Sequence, residues 1–486
     1  MPLEADDTLT SLLCLASKSQ ESTIAIRDAS RSLSFASLHN RVANLARHLA
    51  AAPHHIGLIA HNSIEWVIID LACAAAGKVF VPIPIFFTPQ QIQHVAQDAS
   101  LDLIFCDRDH RPLLDAIAVE IQDIASLPMT EESASLAPVP GALRVIYTSG
   151  TTGNPKGVCL GTTQLNFTMR ALTNAISATA TDRYLSVLPL ALLLEELCAI
   201  HVPLLAGGQT IIDGETAGKM ATGDIMAIQR AATTHRPTVM VLVPDLLRGW
   251  LGALLLSQDK PPACLRYVAV GGAKISDEIL TQSWAAGLPA YEGYGLSECG
   301  SVVAVNRPEA NAIGTAGHVL DGVKVTIQDG EIFVDGPNVM QGYLNRDAAS
   351  RPLATGDLGH FDSEGRLIIT GRKDSVLITG AGRNVSPEWV EAILTQDFHI
   401  ARAILGLTAA GQLTVALVPT ALGEQFLDPA ARSQADSLLA TLVETLPTYA
   451  RPRESLWISA EEARKADIFT TSGRPRRKAF QTFLGA

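Results

Sequence analysis

The sequence predicts an α/β protein: a large N-terminal domain of layered α/β sheets with a small β subdomain, then a small, mobile α+β C-terminal domain. Three observations predict it. Strand and helix patterns alternate from Ile56 to Cys106, they alternate again from Tyr184 to Tyr291, and after Gly314 the texture changes to short antiparallel signals. Alternation of apolar strands with helices marks a parallel sheet covered on its faces. With 486 residues, the chain is also too long for one ordinary core.

In the first stretch, strands over Ile56 to Ala60, Val79 to Ile83 and Leu103 to Cys106 flank a helix over Ser63 to Ala76 and a second helix that starts after Phe87. Thr88, Pro89 and Gln91 form a capping box with proline at the first helical position, which sets that boundary. The second stretch has strands near Leu185 to Leu188, Thr210 to Ile212, Val239 to Val243 and Tyr267 to Val270. Two apolar runs approach membrane length. Glu195 and Glu196 interrupt Leu185 to Leu205, and Asp245 and Arg248 interrupt Val239 to Leu256, so both read as buried helices and strands and no stable membrane insertion is expected.

Asp329-Gly330 between Val323 to Ile327 and Glu331 to Val334 is a hairpin signal. After Arg372 a compact αβ module follows, with Ser386-Pro387-Glu388 opening a helix and a strand at Leu413 to Val418. The domain boundary falls at Lys373 to Ser375, giving domains over residues 1–373 and 374–486.

Lys+Arg total 37 against 49 Asp+Glu, a formal net charge of -12, which argues against general affinity for nucleic acid or anionic membranes. The seven cysteines are scattered without a C-x-x-C pair, so neither a disulfide framework nor a zinc site is indicated, and a reducing cytoplasm fits. Glu4, Asp6 and Asp7 precede the first apolar run, the reverse of a secretory signal.

The most informative stretch is Tyr147-Thr148-Ser149-Gly150-Thr151-Thr152-Gly153-Asn154-Pro155-Lys156-Gly157. Its glycines admit a ligand close to the backbone, its hydroxyls can donate to phosphate oxygens, and Lys156 adds a charge for distal phosphates. It is not a Walker loop, because Lys156 is followed by glycine and Pro155 obstructs the helix that would start there.

This run resembles the signature loop of the adenylate-forming superfamily of acyl-CoA synthetases, peptide-synthetase adenylation domains and luciferases. Four segments agree in order: Tyr291 to Glu298, Thr355-Gly356-Asp357-Leu358, Gly371-Arg372-Lys373-Asp374, and Thr471-Ser472-Gly473-Arg474. Ser297 stands where the family usually has threonine, and Arg474 where it usually has lysine. The resemblance implies an acyl-CoA synthetase-like fold and ATP-dependent activation of a small-molecule carboxylic acid as its acyl-adenylate, with release of pyrophosphate. It implies ATP contacts at Thr148, Ser149, Gly150, Thr151, Thr152, Gly153, Gly295 and Ser297, with Lys156 catalytic. Tyr294 would stack on adenine against Gly272 and Ala273, while Asp357 and Arg372 would hold the ribose. Glu298 would be catalytic as the ligand of Mg²⁺, a hard cation that takes oxygen donors. Arg474 would take the catalytic role of the usual lysine, with Lys478 as the substitute, Arg477 as a structural arginine and Asp374 as the hinge.

Two details lean toward a fatty or otherwise apolar acid. Leu188 to Glu195 is similar to a segment of long-chain acyl-CoA synthetases with Leu192 in place of histidine, and Ile378 to Glu388 resembles their glycine-rich loop. No charge lies in Val239 to Val243 or Val268 to Ala273, the segments expected to face the acyl group. The acceptor stays open: coenzyme A, a phosphopantetheine on an acyl carrier protein, or an amine or hydroxyl. A non-catalytic acyl-adenylate-binding protein and a luciferase-like oxygenase are the competing classes.

Overall fold

The helix Ile64–Ala75 organises the N-terminal part. Ile64, Trp66, Val67, Ile68, Ile69 and Leu71 are all buried, and a helix apolar all round has to lie inside a protein. The computed structural model describes residues 21–136, 139, 141–148, 155–221, 224–380, 382–470 and 473–485. Among them, this helix shares one core with Ile56 and Leu58 of one sheet and with Leu185, Met240 and Val268 of another.

The first sheet has seven strands, in the order Gly342–Tyr343, Lys156–Gly161, Leu143–Thr148, Val79–Pro82, His55–Ile59, Leu103–Cys106 and Glu120–Asp123. Pairing is parallel from Leu143–Thr148 onward and antiparallel for the first two. The second sheet has nine strands and is parallel from Ile24–Arg27 through Gln209–Ile212, Arg183–Ser186, Val239–Leu242 and Tyr267–Val270 to Ala290–Tyr294. The alternation in the sequence thus becomes two helix-covered sheets. The Thr88 capping box forms as expected: Gln91 N–H donates to Thr88 Oγ1 at 3.3 Å and Thr88 N–H to Gln91 Oε1 at 3.0 Å.

A four-stranded antiparallel sheet follows, of Lys324–Gln328, Glu331–Asp335, Leu353–Phe361 and Leu367–Arg372. Its first hairpin turns at Asp329 and Gly330, both left-handed with φ of 50° and 80°, the geometry that strand twist favours in a two-residue turn. Beyond the turn Lys373–Ser375, separate apolar clusters form from Val385, Val390, Leu394, Leu405 and Val415 and from Ile404, Ile468 and Phe480. They are built largely on the sheet Ile400–Leu407, Leu413–Pro419 and Glu454–Trp457 and on the helices Pro387–Leu394 and Arg477–Phe483. Ser386 precedes that helix, but its hydroxyl donates to Glu388 Oε2 at 3.1 Å and makes no capping bond. No helix among the described residues is long and apolar enough to cross a membrane.

The charges that interrupt the first membrane-length run are buried. Arg144 donates to Asp70 and, at 2.5 Å, to Glu196 Oε1, with His201 Nε2 3.5 Å from Glu196. Burial pushes Asp70 up, but Arg144 and His201 more than offset it and hold the carboxyl below its ordinary value. Burial pushes Glu196 up to about 8 against the pull of Arg144. Glu195 accepts from the Tyr184 hydroxyl at 2.7 Å, and burial pushes its carboxyl up to about 8 as well.

Arg144→Met leaves Asp70 and Glu196 facing each other without a cation, and it should cost about 3–5 kcal/mol of unfolding free energy, read from urea denaturation. Glu195 is neutral in the fold and ionises near its ordinary value once unfolded, so its contribution is complete below that value and is lost as pH rises toward 8. Urea midpoints of Glu195→Gln should therefore fall less than those of the wild type between pH 5 and pH 8.

Candidate active site

Tyr267–Val270 and Ala290–Tyr294 are adjacent parallel strands, and their carboxyl ends open a cleft, the usual ligand position in such sheets. The first strand delivers Gly271, Gly272 and Ala273; Gly272 and Ala273 are exposed there, and Gly272 has φ +90°. The second delivers Tyr294 and Gly295 and then the turn Ser297–Cys299, which carries Glu298. A Cβ on Gly295 would lie 1.8 Å from the Ser301 carbonyl oxygen. Glycine is required there by backbone packing, whatever the ligand contact.

The Tyr294 hydroxyl donates to Asp357 Oδ2 at 2.7 Å, and Arg372 approaches Asp357 Oδ1 at 3.1 Å. Asp357 and Arg372 face each other across antiparallel strands. Burial pushes the Asp357 carboxyl up, and Arg372 and the Tyr294 hydroxyl oppose it. These three sequence-selected residues therefore form one cluster.

Glu298 Oε1 accepts from the Tyr343 hydroxyl at 2.8 Å, and among the described residues no hydrogen bond reaches its Oε2. A carboxylate with one oxygen anchored and one free suits a hard cation. Lys156 Nζ lies 5.5 Å above the Tyr343 ring, a cation–π distance. Thr148 and Lys156 are partners at the base of a hairpin; Ser149, Gly150, Thr151, Thr152 and Gly153 lie outside the described residues. Beside Lys156 is a 290 Å³ cavity whose lining includes His94, Tyr343 and Arg346.

Tyr343 is the residue that sequence reasoning misses. Gly342-Tyr343 has no periodic signal, and only its pairing with Cys159 and Val158 brings the ring to Glu298. Glu292 is missed too. Burial pushes its carboxyl up to about 7, Lys274 stands 3.7 Å away, and its Oε2 has no partner among the described residues. The strand Val239–Leu242, expected to face the acyl group, is instead packed into the main core, because a central strand of this sheet is covered by helices on both faces. In the two segments expected to face the acyl group, Val243, Ala269 and Gly271 are partly accessible and Gly272 and Ala273 are exposed.

The last contribution comes from the C-terminal domain. Thr470 N–H donates to the Arg474 carbonyl at 2.8 Å and Arg474 N–H to Thr470 Oγ1 at 3.0 Å, closing a small loop around Gly473. The Arg474 side chain is exposed. Desolvation and then Arg372 push its pKa down, and Glu298 opposes them. Arg477 is clasped by Glu388 at 3.0 Å and by Glu391 at 2.7 Å, and Lys478 is exposed on the helix Arg477–Phe483. Asp374 is exposed in the turn Lys373–Ser375.

A family model described as AMP-binding enzyme matches residues 15–344. The chain is 28% identical over 391 residues to 2-succinylbenzoate–CoA ligase of Bacillus pumilus, which covers 75% of this chain and 76% of that one. Its fold is shared with the anthranilate CoA ligase AuaEII in complex with anthranoyl-AMP, at a TM-score of 0.84, 20% identity and coverage of 99% and 98%. It is shared also with O-succinylbenzoate Coenzyme A Synthetase (MenE) from Bacillus subtilis, in complex with ATP and magnesium ion, at a TM-score of 0.78, 22% identity and coverage of 96% and 98%.

Tyr343→Phe removes the hydroxyl that orients Glu298. The affinity of the nucleotide-bound protein for Mn²⁺, titrated by electron paramagnetic resonance, should fall on the order of 10-fold, with the circular dichroism spectrum unchanged.

Proposed function

As a member of the AMP-binding enzyme family, to which the chain belongs, this protein is an AMP-forming acid–thiol ligase, and we propose that it activates an aromatic carboxylic acid as its acyl-adenylate and transfers the acyl group to coenzyme A. The observation that carries this reading is that the strand Ala290–Tyr294 and the turn after it bring the Tyr294–Asp357–Arg372 cluster and the Tyr343-anchored carboxylate of Glu298 to one strand end.

In the first step a carboxylate oxygen attacks the α-phosphorus of ATP, and the bond to the β-phosphate oxygen breaks. Arg474 and Lys156 offset the charge that accumulates. The substrate carboxylate is already ionised at neutral pH, so no general base is required. Glu298, through its Oε2, would hold Mg²⁺, which when bound neutralises phosphate charge. The backbone at Gly272 and Ala273 and the Tyr294 ring flank the adenine, Asp357 and Arg372 bind the ribose, and Thr148 to Gly153 with Ser297 cradle phosphate. In the second step the thiol sulfur attacks the acyl carbon, AMP departs and the thiol proton passes to solvent.

We place the domain boundary at 373/374, with Asp374 as the hinge. The names of the relatives, 2-succinylbenzoate and anthranilate ligases, support an aromatic acid over a fatty one. The fatty-acyl expectation rested on Leu188 to Glu195, on Ile378 to Glu388 and on the uncharged runs Val239 to Val243 and Val268 to Ala273; in the first of these Leu190, Leu193 and Glu195 are core residues, and Pro189, Leu192 and Leu194 are partly accessible. Six described cysteines are free thiols, which supports a reducing cytoplasm.

The test is a panel of benzoates, anthranilate, 2-succinylbenzoate and fatty acids, assayed for pyrophosphate release with coenzyme A, with phosphopantetheinylated carrier protein and with neither. Aromatic acids should release pyrophosphate and yield a coenzyme A thioester, and Glu298→Ala should lower ATP–pyrophosphate exchange by on the order of 10²-fold. Preference for fatty acids overturns the choice of acid; release from no acid overturns the ligase assignment.

A further inference from the structure

We propose that Arg248, on the N-terminal side of the hinge, is the positioning residue that seats the C-terminal segment carrying Arg474 against the N-terminal part; the inference rests on the adenylating role given to Arg474 above. Arg248 belongs to the helix Pro244–Ser257, which follows directly on the central strand Val239–Leu242. Its guanidinium donates to three carbonyl oxygens beyond the hinge: Thr395 at 2.5 Å, Ile400 at 2.7 Å and Ala401 at 3.2 Å. Thr395 is the C-cap of the helix Pro387–Leu394, and Ile400 and Ala401 open the strand Ile400–Leu407.

A helix end carries unpartnered carbonyls and the negative pole of the helix dipole. One guanidinium answers both, and its five donors in a rigid fork suit several acceptors at once. Asp245 is the nearest carboxylate, at 3.9 Å and largely exposed, so the carbonyls are the principal partners of Arg248. Burial pushes the Arg248 pKa down, the mark of a cation withdrawn from water, which needs its acceptors in place. Phe398 packs on the same helix, its ring 3.2 Å from where a Cβ on Gly252 would stand.

From this seat a rigid path leads to Arg474. The helix Pro387–Leu394 carries Glu388 and Glu391, the carboxylates that clasp Arg477. Glu391 also accepts from Leu405 N–H at 2.8 Å, which ties the clasp to the sheet. Arg476 N–H donates to the Ile468 carbonyl at 2.7 Å, closing the base of the loop that holds Arg474. Seating of the helix end by Arg248 therefore sets where the Arg474 guanidinium stands, although Arg248 itself hydrogen-bonds no site residue among the described residues.

A double-mutant cycle tests this. Arg248→Ala should lower ATP–pyrophosphate exchange about 10-fold, yet change exchange less than about twofold in an Arg474→Ala background, since a residue acting through another has nothing left to act on. Arg248→Lys should restore part of the loss, and the Kd for AMP should stay within about twofold, because Tyr294, Asp357 and Arg372 lie before the hinge. Independently of activity, Arg248→Ala should speed tryptic cleavage at Arg372 and Lys373. An equal fold loss in both backgrounds, or unchanged exchange and cleavage, overturns the proposal. If Arg248→Ala does not fold, Arg248→Gln enters the same cycle with the same two outcomes. Absence of exchange in the wild type with every acid would overturn the ligase reading and the role of Arg474 with it, whereas wild-type exchange with unchanged tryptic cleavage in Arg248→Ala overturns the seat alone.

Discussion

The buried Arg144 guanidinium holds the N-terminal layers in register. It leaves the strand Leu143–Thr148 and bonds Asp70, on the helix between the sheets, and Glu196, on the segment that follows Leu188. One cation thus ties the seven-stranded sheet, the central helix and a piece of chain packed against the nine-stranded sheet. Charges in so apolar a region persist only when paired, because the desolvation penalty of each ion is several kcal/mol. The same strand ends at Thr148, so the anchor also sets where the phosphate-handling turn leaves the sheet.

The cleft follows the opposite electrostatic logic. Arg372, from the small antiparallel sheet, pairs with Asp357, and Lys156, from the seven-stranded sheet, stands over the ring of Tyr343, whose hydroxyl holds Glu298. Each carboxylate has a tyrosine hydroxyl on one oxygen, Tyr343 for Glu298 and Tyr294 for Asp357. A hydroxyl orients an acid without cancelling its charge, which suits groups that have to meet a metal ion or a sugar. Both cations suit a triphosphate. The overall charge of -12 gives no hint of them.

Local chemistry made much of this legible. Thr88-Pro89-Gln91 announced a capping box, Asp329-Gly330 announced a hairpin, and both formed because caps and tight turns depend on a few neighbouring residues. The segments around Tyr294, Asp357 and Arg372 were selected from their motifs, and the strands bring them into one cluster. Gly295 carried a motif signal whose physical reason differs: the Ser301 carbonyl leaves no room for a Cβ. Val239 to Leu242 misled because an uncharged run looks the same whether it lines a pocket or fills a core.

What the sequence determined by itself was the order of elements, the family signature and the residue types that handle phosphate, metal and ribose, since each is written in short contiguous stretches. The tertiary structure alone decided which of them meet. Tyr343 reaches Glu298 through antiparallel pairing with the distant strand Lys156–Gly161, and Arg248 reaches Thr395, Ile400 and Ala401 only because the chain beyond Ser375, built on its own apolar clusters, packs against the helix Pro244–Ser257. Contacts of that kind depend on how sheets and helices pack, and packing is set by the whole apolar surface of each element, which no local pattern of residues records.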